Sequence, residues 1–389
     1  MRVLLLDHEY PPLASGGAAS EALARGLASR GVMVDLVTSG ERPSTESSLL
    51  WDGGSSAEGL LTVHRVKSRA GYLFAALRLL RLLLRGERYD LVHVFFSLPT
   101  GALLPLLDLG DIPVVVSLQW AADSGPGPDS FLARRLLGPF NRWTWRRADR
   151  LVAASESLGD MVLRGSPGLR YSVVHNGADL ARFHPAMTLR RSRAGRVRCL
   201  AAAGLTERTR VADLIRALAL LERGRFELEI VGTGAEEPRL RGLAASLGVA
   251  REVVFRGLLS RSKVAERYRE ADLFTLVPSA DSTGSGFAEA LASGLPIVGS
   301  SAGAIPELVE QGNNGLLVRS GDVRATADAI ARLAGDPQLR REMGRRNRLK
   351  AKATLDWSRI TERYLSIYAG VQRRRLAPAR PAEIPTGTW

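Results

Sequence analysis

Two carboxylates bracket a glycine-rich turn in the stretch DSTGSGFAEALASGLP, residues 281–296. Asp281 opens it, Glu289 lies further on, and Gly284, Ser285 and Gly286 stand between them. The apolar run LFTLVPS comes just before, so the pattern reads strand, turn, helix. Amides at a helix start attract phosphate, and the hydroxyls of Ser282, Thr283 and Ser285 add further donors. Carboxylates accept hydrogen bonds from hydroxyl groups. Two acids on either side of an anion-binding turn therefore suit a ligand with phosphate in its middle and hydroxyls at both ends, the form of a nucleotide sugar. The same residues admit a plainer account, in which Asp281 caps a turn and Glu289 belongs to a solvated helix face.

Two other turns invite the same question. PPLASGGAASEALA puts Gly16 and Gly17 between a first strand and a first helix. Glycine there permits a close backbone approach to phosphate, or simply satisfies the dihedrals of a tight turn. EIVGTGAEEPRL carries Gly232 and Gly234 like the beginning of a dinucleotide fingerprint, but the third glycine is missing and Glu236 and Glu237 would repel a pyrophosphate. The five histidines are scattered, with no H-x-x-x-H or C-x-x-C spacing, so no metal and no other cofactor is expected.

These turns need elements to position them. Short apolar runs alternate with longer amphipathic stretches along the chain: VLLLD, VDLVTS, YDLVHVFF, PVVVSLQ and DRLVAASE in the first half, then VRCLAAAGL, FELEIVGTG, EVVFRGL, DLFTLVPS and PIVGS in the second. Runs apolar on both faces with helix-length connections are parallel strands. The fold class is α/β, two doubly wound Rossmann-like domains facing a central cleft. The boundaries read from the sequence are an N-terminal domain over 1–181, a linker over 182–196, a second domain over 197–356, an amphipathic helix over 357–371, and a loose Pro- and Arg-rich tail over 372–389. Ligands in such folds bind at the carboxyl ends of the strands.

Composition sets outer limits. Of 389 residues, 45% are apolar and 24% charged, enough to bury a core in each domain. The single cysteine, Cys199, leaves no disulfide framework and points to a reducing, cytoplasmic setting. The opening apolar run is too short for a leader and reads as a strand, and no run is long enough to span a membrane. The net charge of +14 favours anionic partners, whether nucleic acid, lipid or phosphorylated substrate. Helix-turn-helix, RNP and zinc-finger patterns are all lacking, which argues against nucleic acid. Two segments, GYLFAALRLLRLLLRGERY (71–89) and FNRWTWRRADR (140–150), mix apolar side chains with arginine. Such a helix can rest peripherally on an anionic membrane, or pack on its sheet with its arginines in water.

At this point the chain resembles a family. Asp281 to Glu289 is similar to the E-x7-E motif of family 4 glycosyltransferases, which have the GT-B fold. SAGAIPELVEQGNNGLLV (301–318) resembles the glycine-rich segment after that motif, VVHNGADLARFHP (173–185) the interdomain N-G-V-D-x-x-x-F-x-P signature, and EYPPLASGG the N-terminal glycine loop. YDLVHVFF, ADRLVAASESL, the IVGTG stretch and DWSRITERYLSIY follow in the expected order, so the resemblance covers nearly residues 1–371.

The resemblance implies transfer of a sugar, with retention of configuration and without metal, from a nucleotide-sugar donor such as a UDP- or GDP-sugar to a hydroxyl on a glycan, lipid-linked or small-molecule acceptor. It implies that Glu289 holds the donor ribose, that Asp281 touches the transferred sugar, that Gly284, Ser285 and Gly286 lie by the phosphates and sugar, and that Gly16 and Gly17 close over the diphosphate. It also implies that Gly232 lies on the donor side of the cleft and that the helix 357–371, from Trp357, crosses back to the N-terminal domain. Three departures stand out. The first acid is Asp281, one methylene shorter than Glu. In AAAGLTERTRVADL, Gly204 and Thr209 stand where the family often has Arg and Lys, with Arg208 or Arg210 as substitutes able to bind phosphate bidentately. Gln119 replaces a usual histidine and cannot shuttle a proton. The alternative these departures raise is a weak or inactive GT-B-like protein that binds a nucleotide sugar or glycan without transferring it.

Overall fold

The computed structural model describes residues 1–7, 18–39, 55–66, 72–95, 100–119, 142–186, 196–279 and 284–376. Its first sheet has eight strands: β1 (Arg2–Leu6), β2 (Met33–Ser39), β3 (Ser55–Glu58), β4 (Leu61–Val66), β5 (Leu91–Val94), β6 (Val114–Leu118), β7 (Arg150–Ala153) and β8 (Tyr171–Val173). They lie in the order β3-β4-β2-β1-β5-β6-β7-β8, all parallel except the edge strand β3, which runs antiparallel to β4. The apolar residues of β1, Val3 to Leu6, are buried on both faces, as a central parallel strand requires.

The second sheet has six parallel strands: β9 (Val197–Ala202), β10 (Phe226–Val231), β11 (Val253–Gly257), β12 (Leu273–Leu276), β13 (Ile297–Ser300) and β14 (Gly315–Val318). Their order is β11-β10-β9-β12-β13-β14. Strand order therefore reverses between β1 and β5 in one sheet and between β9 and β12 in the other. Such reversals open a crevice at the carboxyl ends of the strands. The two α/β domains inferred from the sequence are present, and β3, β4, β8 and β14 are additions to the strands read from it.

The chain crosses between the domains twice, side by side. The Ala178 amide donates to Leu355 O (2.9 Å), and Ala178 bridges to Asp356 in parallel fashion. After the first crossing the chain docks at once on the second domain: Ala178 and Phe183 are buried in its core. Arg348, on the helix Pro337–Thr354, donates to Phe183 O (2.9 Å), Leu180 O (3.2 Å) and Ala292 O (2.7 Å), tying that segment down.

The second crossing leads into the helix Trp357–Leu376, which returns to the first domain and buries Ile360, Tyr364, Tyr368 and Val371 against Val3, Leu5, Leu23 and Leu27. It is longer than the sequence indicated. Residues 372–376, read as part of a loose tail, continue the helix, and Arg375 holds the added turn with a forked ion pair to Asp149 (2.8 and 2.9 Å). A buried polar chain pins the same helix to the sheet. His93 Nδ1 lies 2.7 Å from the Tyr368 hydroxyl, His93 Nε2 lies 2.8 Å from Ser117 Oγ, and Ser117 Oγ lies 3.1 Å from the Tyr364 hydroxyl. Burial pushes the His93 imidazole down to about 3, so it is neutral throughout the physiological range.

Candidate functional site

The glycine-rich turn of the second domain is assembled from three elements. Three residues after β12, the amide (2.9 Å) and hydroxyl (3.1 Å) of Ser279 both donate to Arg208 O. This joins the end of β12 to the short 3-10 turn Glu207–Thr209 that follows β9. Asp281, Ser282 and Thr283 lie outside the described residues. Gly284 then caps the helix Ser285–Ala292 with φ +73°, and a Cβ there would meet Leu308 Cδ1 at 2.7 Å. Only glycine satisfies both conditions. The helix start brings Ser285 and Gly286 to the turn with the positive end of the helix dipole.

Glu289 is only 6% exposed, so the solvated-face account of it does not hold. Its Oε1 accepts a 2.7 Å bond from Arg261 Nη1, on the first residue of the helix Arg261–Glu270. The buried Tyr268 hydroxyl donates to Gly286 O (3.0 Å) and also meets the Glu289 carboxylate. Burial and that carboxylate push the phenol well above its ordinary range, so it remains a donor. Burial draws the Arg261 guanidinium down, while Glu289 and, more weakly, Glu21 of the other domain push it up, and the net shift is upward.

The facing wall comes from the first domain. Gly16 and Gly17 lie outside the described residues, immediately before the Ala18 helix. At the end of β1 the fully buried Asp7 bonds the Ser20 hydroxyl in the first turn of that helix, clamping strand to helix. Gln119 follows β6, is buried, and accepts on Oε1 from Asn176 Nδ2 (2.8 Å). Asp7, Ser20 and Asn176 were not singled out in the sequence. The asparagine had a signal in the interdomain signature, whereas an acid closing a strand carries none on its own.

The remaining predicted donor residues separate. Arg210 adopts φ +52°, the one non-glycine residue with positive φ among those described, and gives its guanidinium to Asp213 (2.6 Å), which also accepts from Arg216 (2.8 Å). Thr209 Oγ1 donates to Gly204 O and Thr206 O (both 2.8 Å) and so builds the turn. Gly232 has φ +132°, and a Cβ would lie 2.0 Å from Ala203 O, so close approach of two strand ends explains its identity. Across the domains, Glu307 accepts from the amides of Glu156 (2.9 Å) and Ser157 (3.0 Å) at the start of the helix Glu156–Gly165, and its Oε2 lies 2.8 Å from His175 Nε2. Nothing in the sequence marked this contact.

Known proteins agree with this arrangement. Residues 16–177 match the family described as "Glycosyl transferase 4-like domain" and residues 193–350 that described as "Glycosyl transferases group 1". A D-inositol 3-phosphate glycosyltransferase of Streptomyces bingchenggensis is 31% identical, with 75% of this chain and 69% of that protein covered. The chain belongs to glycosyltransferase family 4. A glycogen synthase of Mycobacterium tuberculosis is 28% identical to this glycosyltransferase, with 97% of each covered. Among solved structures, sucrose-phosphate synthase from Thermosynechococcus elongatus superposes with a TM-score of 0.79 at 19% identity, covering 96% of this chain and all of that one. Anabaena HepE in complex with UDP-glucose superposes with a TM-score of 0.72 at 18% identity, covering 95% and 100%. The glycosyltransferase has the GT-B fold.

Proposed function

We propose that this glycosyltransferase moves a sugar from a UDP- or GDP-sugar to a hydroxyl acceptor with retention of configuration and without a metal. The observation that carries the reading is Glu289: a buried carboxylate, held by an arginine beside a helix start, at the mouth of a crevice between two domains. In this reading Glu289 accepts from the donor ribose, the start of the Ser285 helix receives the diphosphate, and Asp281 meets the sugar. Arg208, whose carbonyl accepts from Ser279 and so places it on the turn next to the glycine-rich segment, supplies positive charge to the leaving diphosphate, and Arg210 braces the same turn through Asp213. Gln119, whose oxygen accepts from Asn176, meets the transferred sugar, and Gly16 and Gly17 close over the diphosphate. Relatives named as a glycosyltransferase and as a synthase favour transfer over binding alone. HepE is described with UDP-glucose, which supports a uridine nucleotide as the first donor to try. The test is thermal unfolding of the pure protein with UDP-, GDP-, ADP- and TDP-sugars. A ligand that binds only the folded state raises the midpoint, by about 2.7 kcal/mol of stability at a hundredfold excess over Kd. No shift with any donor or free nucleotide would overturn the reading.

A cytoplasmic enzyme resting on the inner face of an anionic membrane, with a glycan or lipid-linked acceptor, is the companion proposal. It is supported by the helix Tyr72–Gly86, which buries Ala76 and Leu80 on its sheet yet leaves Phe74 76% and Leu82 69% exposed beside Arg78, Arg81 and Arg85. Exposed apolar residues flanked by arginines suit a headgroup boundary. Among the described residues no helix is long and apolar enough to cross a membrane. Flotation with phosphatidylglycerol vesicles, but not with phosphatidylcholine alone, is expected for the wild type and is lost in a Phe74→Glu, Leu82→Glu double variant. Equal flotation of the two proteins sinks this part.

A further inference from the structure

We infer that Arg261 is the positioning residue for Glu289: it fixes the buried carboxylate toward the donor ribose, and it rests in turn on Phe183 of the interdomain segment. The inference depends on the reading of Glu289 as the ribose acid.

The pair joins two helices rather than neighbours on one, so helical periodicity does not produce it. A buried ion pair rarely repays the cost of taking both charges from water, and apolar residues of the same size would pack as well or better. Its presence at this position therefore needs a purpose other than stability. The carboxylate retains accepting capacity beyond the Arg261 and Tyr268 contacts, since two ionised oxygens offer about four sites. An arginine on one side and a tyrosine on another leave a restricted direction for a third donor to approach.

Phe183 supplies the support. Its ring is fully buried, lies beneath the Arg261 guanidinium at 5.2 Å, and meets Tyr268 edge-on at 5.4 Å and 88°. Both groups that hold Glu289 thus sit on one aromatic side chain of the segment that connects the domains. The Arg261 side chain is one-third exposed while Glu289 is almost wholly covered, so the guanidinium spans from the acid to the cleft. A carboxylate left without this guanidinium would be free to rotate about its terminal torsion, which is broad, and would present its oxygens less often to the ribose.

Titration calorimetry with UDP, GDP and ADP, each against its 2′-deoxy analogue, tests this on the full chain. The wild type should prefer the ribonucleotide. Glu289→Gln should erase that preference. Arg261→Met, which keeps the stem over Phe183, should weaken the ribonucleotide about tenfold and the deoxynucleotide little, while Arg261→Lys regains part of the preference. A role confined to folding would lower both nucleotides alike. Arg261→Gln serves as the second neutral variant if the Met variant does not fold. Binding of the ribonucleotide by Arg261→Met as tight as wild type, or tighter, overturns the inference, since Arg261 would then be a plug that the donor displaces. Retention of the ribose preference by Glu289→Gln, or no nucleotide binding at all, overturns the reading beneath it.

Discussion

Arg208 and Arg210 look interchangeable in TERTR, but their surroundings part them. Arg210 is held in a left-handed conformation that costs a non-glycine residue roughly 1–2 kcal/mol, and its charge is spent on Asp213. Arg210→Gly relieves the backbone and loses the pair, so nucleotide affinity should change by less than about twofold, a difference well under 1 kcal/mol. Arg208→Ala should weaken the same nucleotide by about tenfold, the loss expected for one charge-assisted contact. Calorimetry on the two variants separates these outcomes, and the reverse ranking would reassign the diphosphate to Arg210. A related expectation concerns Asn176. Asn176→Ala removes the donor that orients Gln119 Oε1, so kcat should fall by about tenfold while the donor Kd moves little. Steady-state rates beside direct binding check it, and an equal loss in both would make Asn176 a donor contact.

At the scale of elements, the returning helix Trp357–Leu376 is fastened by apolar contacts and by the buried chain of His93, Ser117, Tyr364 and Tyr368. The folded imidazole is depressed from 6.5 to about 3 by burial. Above pH 6.5 both folded and unfolded forms are neutral and the full stability is present. Below it the unfolded chain takes up a proton that the folded one refuses, so stability falls as pH drops toward 3. The slope from this one residue approaches about 1.4 kcal/mol per pH unit. Urea unfolding at pH 7, 6 and 5 should show this decline, and His93→Gln, which hydrogen-bonds without titrating, should flatten it. An unchanged slope in the variant would mean that His93 charges within the fold. The three arginines at positions 373–375 also belong to this scale. Composition made them part of a loose tail, whereas Asp149, distant in sequence, turns one of them into a helix anchor.

The whole molecule is two doubly wound sheets joined by a double crossing, and Glu307 spans the cleft from the second domain to a helix start in the first. A carboxylate with two amide bonds and a histidine contact at a helix N-terminus is worth on the order of 2 kcal/mol to the closed arrangement. Glu307→Ala leaves each core intact, so the domains should separate more freely while far-ultraviolet circular dichroism stays the same. Small-angle scattering should then give a larger radius of gyration for the unliganded variant than for the wild type. Identical scattering curves would show that the crossing segments alone set the domain angle.

The sequence by itself determined the architecture. Strands buried on both faces announce themselves as apolar runs, so ten of the fourteen strands among the described residues and the two-domain α/β plan were legible from local pattern, and the ordered motifs carried the family resemblance, whereas β3, β4, β8 and β14 were not read. Burial and pairing were not legible, because they depend on what lies opposite. Glu289 could have been a solvated acid until the tertiary structure covered it and set Arg261 and Tyr268 upon it. Arg210 reads as a phosphate ligand in the sequence, and only the tertiary structure sets Asp213 against it. Asp7 with Ser20, Gln119 with Asn176, and Glu307 with the Glu156 helix each unite residues from different elements, and strand order, not spacing along the chain, brings them within a hydrogen bond. Periodicity records which face of an element is apolar, whereas the partner of a polar side chain is decided only when the elements meet.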